Sequence, residues 1–175
     1  MTGGDHADRL TAAGQVAALD LARSVQLPPG VVGVGIDAVD LERFAAVLGR
    51  RTSMAARLFT AGELAYARTA ADPVPRLSTR FAAKEAVMKA LGLGLGSFPF
   101  RDVEVVRVGL GPPVLVLAGA ARAVAIRSGV DRWHLSLTHT HRVAMALVVA
   151  EGPEGTRTRR GAGPATVSAD QRPRP

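Results

Sequence analysis

The chain has 175 residues, of which 47% are hydrophobic, so it is long enough to form one domain with an apolar core. It contains no cysteine, which excludes disulfides, thiolate nucleophiles and cysteine-ligated metal centres. The formal net charge of +7 favours an anionic partner: nucleic acid, a phosphorylated metabolite or an acidic protein. No apolar run approaches the roughly 20 residues of a membrane span, and no secretory signal pattern is visible, so we expect a cytoplasmic protein without a membrane partner.

The two ends of the chain differ in composition from its centre. Residues 1–30 form an N-terminal extension that could contain one amphipathic helix over residues 10–25, which the Pro28-Pro29-Gly30 sequence would end. Residues 152–175 are rich in Gly, Pro, Arg and Thr, and this composition predicts a disordered basic tail. The folded domain is therefore expected over residues 31–151.

The predicted domain opens with the strand V-V-G-V-G-I-D, residues 31–37, in which Gly alternates with Val and Ile. Glycines inside a strand are typical of a place where another element approaches closely. Asp37 at the end of this strand either caps the following helix or belongs to a functional site, and its position fits both interpretations. The following helix is predicted over residues 39–48, and a capping box at residues 60–63 predicts another helix to about residue 69.

The longest predicted helix covers residues 75–91 and is rich in good helix formers. Three glycines follow it, and glycine commonly ends helices because it readily adopts positive φ. Glu85 and Lys89 lie one turn apart on this helix, as do Arg80 and Lys84 on an adjoining face. One carboxylate among several cations suits a metal ion that joins the carboxylate to a phosphate. The alternative for Glu85 and Lys89 is an ordinary solvated ion pair, which is the commoner reason for this spacing.

The rest of the domain shows a strand pattern interrupted by one helix. Strands are predicted over residues 103–108, 114–117, 133–138 and 143–150, and a helix over residues 118–127. His134, Ser136 and Thr138 alternate on one side of their strand, whereas the run at 143–150 predicts a buried strand. The whole order predicts an α+β fold, with an antiparallel sheet packed against the long central helix. The sequence has no dinucleotide-binding fingerprint, phosphate-binding loop or internal repeat.

Four segments of the sequence carry a family resemblance. They are G-V-G-I-D-A-V-D-L-E-R (33–43), F-T-A-G-E-L (59–64), R-F-A-A-K-E-A-V-M-K-A-L-G-L-G-L-G (80–96) and H-L-S-L-T-H-T (134–140). In this order they resemble the holo-acyl-carrier-protein synthase family, the small type of the 4′-phosphopantetheinyl transferase superfamily. The resemblance covers residues 31–151 and implies that family's fold and reaction. The enzyme would move the phosphopantetheine arm of coenzyme A to a serine of an apo acyl carrier protein and release adenosine 3′,5′-bisphosphate.

The resemblance also implies roles for individual residues. Asp37 and Glu85 would bind Mg²⁺, for which Mn²⁺ can substitute, and Lys89 would be the third catalytic residue, in contact with the diphosphate. Arg43 would dock the acidic carrier, whereas His139 matches a family position for which a structural role is as plausible as a catalytic one. Members are generally trimers with the active site between subunits, so a homotrimer is expected. The implied partners are coenzyme A and the carrier protein, and no nucleic-acid partner is expected. The positions assigned to coenzyme A are Arg80, Lys84, Gly92, Gly94, Gly96, Pro113, His134 and Ser136.

The chain departs from the family at one turn. Gly111-Pro112-Pro113 stands where the family usually has Gly-Lys-Pro, so one cation near the phosphates is missing. We expect either weaker binding of coenzyme A or an arginine that replaces the lysine.

Three other functions fit parts of the sequence. A non-catalytic module that binds coenzyme A or a nucleotide would need neither Asp37 nor Glu85. A nucleic-acid-binding protein would explain the positive charge, but the chain has only one Trp and one Tyr for base stacking. Another Mg²⁺-dependent enzyme that cleaves a diphosphate should show a further carboxylate cluster to hold water, and the sequence has none.

Overall fold

The computed structural model of the protein describes residues 27–50, 52–107, 109 and 111–153. The helix predicted over residues 10–25 and nearly all of the predicted tail lie outside these ranges, so both stay predictions. Across the described ranges, no helix combines the length and the apolar character that crossing a membrane requires.

The described residues form two antiparallel sheets and a set of helices, which confirms the predicted α+β class. Strands β1, β5 and β4 form one sheet in that order, and β2 and β3 form a separate hairpin. In chain order the elements are β1 (Val31–Asp40), α1 (Leu41–Arg50), α2 (Thr52–Leu58), α3 (Ala61–Ala67), α4 (Val74–Ala90), a 3₁₀ helix (Phe100–Asp102), β2 (Val103–Arg107), β3 (Pro113–Leu117), α5 (Gly119–Arg127), β4 (Arg132–His139) and β5 (Val143–Glu151).

Helix α4 crosses the inner face of the three-stranded sheet and lies against β1. A Cβ atom at Gly35 would lie 1.9 Å from the carbonyl oxygen of Ala86, and one at Gly33 would lie 1.9 Å from that of Ala90. Any other residue at these two positions would therefore push the helix away from the strand. The close approach predicted from the glycines is confirmed, and it brings the next inward-facing residue of β1, Asp37, up against α4.

The core between α4 and the sheet consists mainly of small side chains. On α4, Ala82, Ala83 and Ala86 are completely buried, and the inward residues of β5 that face the helix are also alanines and a valine. Small residues allow the two elements to pack closely, so the positions of side chains on α4 and β1 are tightly defined relative to each other.

The junction between β1 and α1 differs from the prediction. The strand continues to Asp40, whereas the helix was predicted to begin at residue 39. The backbone N–H of Arg43 donates a hydrogen bond of 2.8 Å to Oδ1 of Asp40, so Asp40 caps the helix. This excludes the capping interpretation of Asp37 and leaves its carboxylate for a functional site. Helix α2 was not predicted at all.

The outer face of the three-stranded sheet is apolar and exposed. Met145 and Leu147 of β5 are 37% and 41% exposed, so the prediction that this strand is buried is wrong for one of its two faces. On the neighbouring strand β1, Val34 and Ile36 are 45% and 55% exposed. These four residues, together with the predicted polar side of β4 (His134, Ser136 and Thr138), define the outer sheet face.

Candidate active site

A carboxylate from β1 and an ammonium group from α4 meet where the helix crosses the strand. Asp37 is only 9% exposed, and its Oδ1 accepts a hydrogen bond of 2.7 Å from Nζ of Lys89. The same ammonium donates a bond of 3.0 Å to the carbonyl oxygen of Ile36. The Lys89 side chain is 51% exposed, so its charged end borders solvent. Among the described residues, Lys89 therefore forms its ion pair with Asp37. The helical spacing alone predicts Glu85 as the partner instead.

Glu85 lies one turn before Lys89 on α4 and is half-buried. Burial raises the pKa of its carboxyl group above the usual value, the negative charge of Asp37 raises it further, and the positive charge of Lys89 acts in the opposite direction. The influence of Asp37 means that the two carboxylates share one electrostatic environment. We call Asp37 and Glu85 the carboxylate pair, and a cation bound between them would relieve their repulsion.

The carboxylate pair has the chemistry of a site for a hard divalent metal. Mg²⁺ is commonly held by one or two carboxylates, while substrate phosphates and water complete its octahedral shell. The described part of the chain contains no group of three or more His, Cys, Asp or Glu side chains that could hold a metal ion, so the donor set here is the pair itself. The structure brings Asp37, Glu85 and Lys89 together, and their roles in metal and phosphate binding stay predictions.

Lys84 lies away from this site, in the protein interior. Its side chain is completely buried, and its ammonium group forms an ion pair of 2.8 Å with Oε2 of Glu63. It also donates hydrogen bonds to the carbonyl oxygens of Phe100, at 3.0 Å, and Val103. Burial lowers the pKa of Lys84, and the Glu63 carboxylate opposes that effect. This corrects the prediction that Lys84 contacts coenzyme A, since all three of its donors are used inside the protein.

The composition of the chain holds a further signal for the two lysine positions, Lys84 and Lys89, that no motif contains. Lys84 and Lys89 are the only lysines among the 22 lysines and arginines of the sequence. An ammonium group is a compact charge with three rotatable donors, whereas a guanidinium group is a wide planar fork. Both positions use the compact geometry, one within the core and one beside the carboxylate pair.

Arg80 and Pro113 line a separate cavity of about 540 Å³. Its lining includes Arg76, Arg80, Arg107, Tyr66, Pro113 and His139, and we call it the arginine pocket. Arg76 and Arg107 were not predicted, because neither belongs to a segment that carries the family resemblance. The one available signal was the position of Arg107, a few residues before the turn at which the family's lysine is missing. His139, which had no assigned role, lies at this pocket.

The chain leaves α4 through the predicted glycine-rich loop. Gly92 and Gly96 have φ values of +69° and +82°, which glycine adopts without steric cost. The backbone N–H of Leu93 donates a bond of 2.9 Å to the carbonyl of Met88, a pattern typical of a glycine-ended helix. At Gly92, Gly94 and Gly96, a Cβ atom would meet no described atom within 4 Å. The loop therefore borders open space at the end of α4, where a ligand could approach its backbone.

His134 and Ser136 lie on the outer sheet face, on the opposite side of the sheet from Asp37. Nε2 of His134 is 2.7 Å from Oε2 of Glu151, and the His134 side chain is 53% exposed. Within one chain, the structure does not bring these two predicted coenzyme A ligands together with the carboxylate pair. They could join such a site only across an interface formed by the outer sheet face.

Arg43 is exposed on α1, which begins four residues after Asp37. Arg50 is also exposed, seven residues later and on the same side of the helix. The predicted docking residue therefore lies on a basic helix surface next to the strand that carries Asp37.

Comparison with known proteins gives a consistent result. The sequence model for ACPS, the 4′-phosphopantetheinyl transferase superfamily, matches residues 33–148. The chain is 52% identical over 121 residues to a holo-[acyl-carrier-protein] synthase of Frankia casuarinae, and the match covers 69% of this chain and 98% of that protein.

Solved structures give the same result for the fold. The holo-[acyl-carrier-protein] synthase from Neisseria meningitidis is 34% identical with a TM-score of 0.64, over 69% of this chain and 98% of that chain. A holo-(acyl-carrier-protein) synthase from Bacillus anthracis in complex with CoA (3′,5′-ADP) is 32% identical with a TM-score of 0.58, over 70% and 97% of the two chains.

Proposed function

The chain belongs to the 4′-phosphopantetheinyl transferase superfamily, and from this premise we propose that it is a magnesium-dependent enzyme of the holo-[acyl-carrier-protein] synthase type. In the reaction, a serine hydroxyl of an apo carrier attacks the phosphorus of coenzyme A that bears the pantetheine arm. A new phosphodiester forms, the serine proton is released, and the bond to adenosine 3′,5′-bisphosphate breaks. The observation that carries the proposal is the meeting of Asp37, Glu85 and Lys89 where α4 crosses β1.

The carboxylate pair would hold Mg²⁺ beside the diphosphate of coenzyme A. Asp37 is fixed by a central position in β1 and Glu85 by α4, so both ligands belong to closely packed elements and not to loops. A bound Mg²⁺ ion would neutralise charge on the diphosphate and on the leaving bisphosphate. Burial and the negative charge of Asp37 raise the pKa of Glu85, and a cation bound at the carboxylate pair would favour its ionised form, which is the form that binds metal.

Lys89 would bind the diphosphate from the same side. An ammonium group has three donors, of which Asp37 and Ile36 use two, so one is left for a phosphate oxygen. The half-exposed position lets this side chain reach a ligand that arrives from solvent. A cation placed at the bond that breaks gains most when negative charge develops there, so Lys89 would act mainly on the transition state.

The carrier protein would dock on α1. Arg43 and Arg50 lie on one exposed side of this helix, and carrier proteins present an acidic helix next to the serine that is modified. Opposite charges on the rim of a site raise the rate of encounter and fix orientation, although they add little to affinity. Arg43 would therefore bring the serine toward the carboxylate pair.

A homotrimer would form through the outer sheet face. Val34, Ile36, Met145 and Leu147 make a contiguous exposed apolar surface, which is unusual on a monomer and typical of an interface. Burying it against another subunit would place His134 and Ser136 at the interface. This supports their predicted part in binding coenzyme A, which a single chain cannot provide at the carboxylate pair.

Mass spectrometry of a purified apo acyl carrier protein, incubated with coenzyme A and Mg²⁺, tests this function. The wild-type enzyme should add one phosphopantetheine group, lose this activity in excess chelator, and regain it with Mg²⁺ or Mn²⁺. Asp37→Asn and Glu85→Gln remove a charge at nearly constant volume and should abolish transfer in a folded protein. Asp40→Asn is the matched control on the same strand, since Asn caps a helix as well as Asp does. Full transfer in excess chelator would contradict the metal-dependent mechanism.

A further inference from the structure

Tyr66, the only tyrosine of the chain, lies among the three arginines of the arginine pocket. The guanidinium carbons of Arg80 and Arg76 lie 4.2 Å and 4.7 Å from the centre of its ring. On the hydroxyl side, Nη1 of Arg107 lies 3.5 Å from the phenol oxygen. The face of an aromatic ring carries negative charge density and attracts guanidinium groups, so one side chain stabilises cations that come from both α4 and β2.

The three guanidinium groups repel one another and have few other groups to hold them. None of the described residues that line the pocket is acidic, and no ion pair between described residues includes Arg76, Arg80 or Arg107. Arg80 is only 4% exposed, and its Nε has no hydrogen-bond partner in the described part of the chain. Burial lowers the pKa of Arg80, whereas Glu63 and Tyr66 oppose this effect. The ring of Tyr66 is therefore a main support for the buried charge.

The contact between α3 and α4 fixes the position of Tyr66. Glu63 lies one turn before Tyr66 on α3, and Arg80 lies one turn before Lys84 on α4. The ammonium group of Lys84 binds Glu63 at 2.8 Å inside the core, and one turn away the guanidinium group of Arg80 lies over the Tyr66 ring. The buried ion pair therefore determines where the ring can lie relative to Arg80.

Further contacts restrict the directions of Arg76 and Arg107. Nη1 of Arg76 donates a bond of 3.0 Å to the backbone carbonyl of Tyr66, so this arginine is held by both the ring and the main chain of one residue. Arg107 donates through Nε to the carbonyl of Gly111 at 3.0 Å, which leaves its Nη1 beside the phenol oxygen. Gly111 begins the turn that lacks the family's lysine, so Arg107 provides a cation at this turn.

The family resemblance assigns Arg80 and Pro113, which both line this pocket, to coenzyme A. We infer that Tyr66 is a positioning residue for this substrate, because it holds the three guanidinium groups of the pocket in fixed directions. Tyr66 lies outside the four segments that carry the resemblance, and it acts through the arginines, not on the reacting atoms. Side chains that are ordered in advance spare the substrate the entropy cost of ordering them. The inference rests on the proposed function, and it assigns Tyr66 to binding and not to the chemical step.

Steady-state kinetics of two Tyr66 variants test the inference. Tyr66→Leu removes the ring, so the substrate itself must order two long arginine side chains, and the KM for coenzyme A should rise roughly tenfold with kcat unchanged. Tyr66→Phe keeps both ring faces and should raise the KM by less than about threefold, since a contact of 3.5 Å is at the limit of a hydrogen bond. Leu64→Ala is the control for a purely structural effect. It truncates a partly buried residue of α3 that does not line the pocket, so it should lower stability and leave the KM unchanged.

Ultraviolet absorbance gives a readout that does not depend on turnover. Because Tyr66 is the only tyrosine, the absorbance change on phenolate formation reports this residue alone. The contact with Arg107 lowers the pKa of the phenol, burial opposes this effect, and the charges of Arg76 and Arg80 lower the pKa further. Arg107→Gln should therefore raise the pKa of Tyr66 toward its usual value. Arg127→Gln, which removes the same charge from an exposed position on α5, is the matched control and should leave this pKa unchanged.

The outcomes separate positioning by the ring from its alternatives. The inference is overturned if Tyr66→Leu leaves the KM for coenzyme A unchanged, if Leu64→Ala raises this KM equally, or if Arg107→Gln does not change the pKa of the phenol. If Tyr66→Leu does not fold, Tyr66→Phe still decides: a KM near that of the wild type supports the role of the ring, and a rise as large as that expected for Tyr66→Leu contradicts it. If the wild type transfers nothing to the carrier, the proposed function fails, and calorimetric titration of coenzyme A into the same variants still tests the inference.

Discussion

Replacing Lys84 by methionine should destabilise the protein severely. The ammonium group of Lys84 is completely buried and has three acceptors: Glu63 at 2.8 Å, and the carbonyl oxygens of Phe100 and Val103. Methionine fills a similar volume but donates nothing, so Lys84→Met leaves the Glu63 carboxylate and two carbonyl groups without their cation. These acceptors tie α3 and the start of β2 to α4, so their loss should weaken the whole domain.

The magnitude follows from the burial of both charges. Removing one partner of a buried ion pair costs about 3–5 kcal/mol, because the remaining charge stays buried without compensation. That is a large part of the roughly 5–15 kcal/mol by which domains are stable. For a domain of this size it corresponds to a fall in Tm of roughly 10–20 °C. Adding Glu63→Gln to Lys84→Met should recover part of the loss, since it removes the unpaired charge.

Urea denaturation, followed by circular dichroism, measures this loss. Lys89→Met is the matched control, because it makes the same change in the chain's other lysine. The Lys89 side chain is 51% exposed, so water screens its ion pair and the expected cost is only about 1 kcal/mol. The assignment of Lys84 to the core would be refuted if the two variants lost the same free energy of unfolding. It would also be refuted if Lys84→Met lowered the free energy of unfolding no more than the loss of a surface ion pair does.

Three further predictions concern function. Lys89→Met should lower kcat roughly 100-fold, the cost of losing one group that stabilises transition-state charge, and an unchanged kcat would refute the role of Lys89. Arg43→Glu should raise the KM for the carrier, with a larger effect at low salt, and should leave the KM for coenzyme A constant. A change in the KM for coenzyme A alone would show that the carrier docks on another surface. Met145→Glu should convert the proposed homotrimer into monomers, and light scattering measures this change in mass. A mass equal to that of a trimeric wild type would exclude the outer sheet face as the interface.

Local signals in the sequence were sufficient for the central helix and its surroundings. The helix predicted over residues 75–91 is observed as Val74–Ala90, because good helix formers and the following glycines determine its ends. The capping box of α3 is present as predicted, with both reciprocal bonds between Thr60 and Glu63. The close approach at Gly33 and Gly35 also followed from the residues alone, since only glycine tolerates it.

Long-range packing decided what the sequence could not show. On the helix, Lys84 and Lys89 are both cations near one carboxylate, and only the folding of α3 and β2 around Lys84 makes it a core residue. The sequence allows Asp37 to cap the next helix, and only the continuation of the strand to Asp40, which caps the helix instead, excludes this interpretation. The arginine pocket joins residues from α4, β2 and β4, and no local pattern relates Arg76 to Arg107.

We propose that Asp37 and Glu85 hold the catalytic metal ion, and the mechanism depends on this claim. Electron paramagnetic resonance of Mn²⁺, titrated into the protein with adenosine 3′,5′-bisphosphate present, measures metal binding without relying on turnover. We predict that the wild type and Asp40→Asn bind Mn²⁺ alike, and that Asp37→Asn and Glu85→Gln each lose most of this affinity while remaining folded. Mn²⁺ binding that is unchanged in both carboxylate variants would contradict the claim.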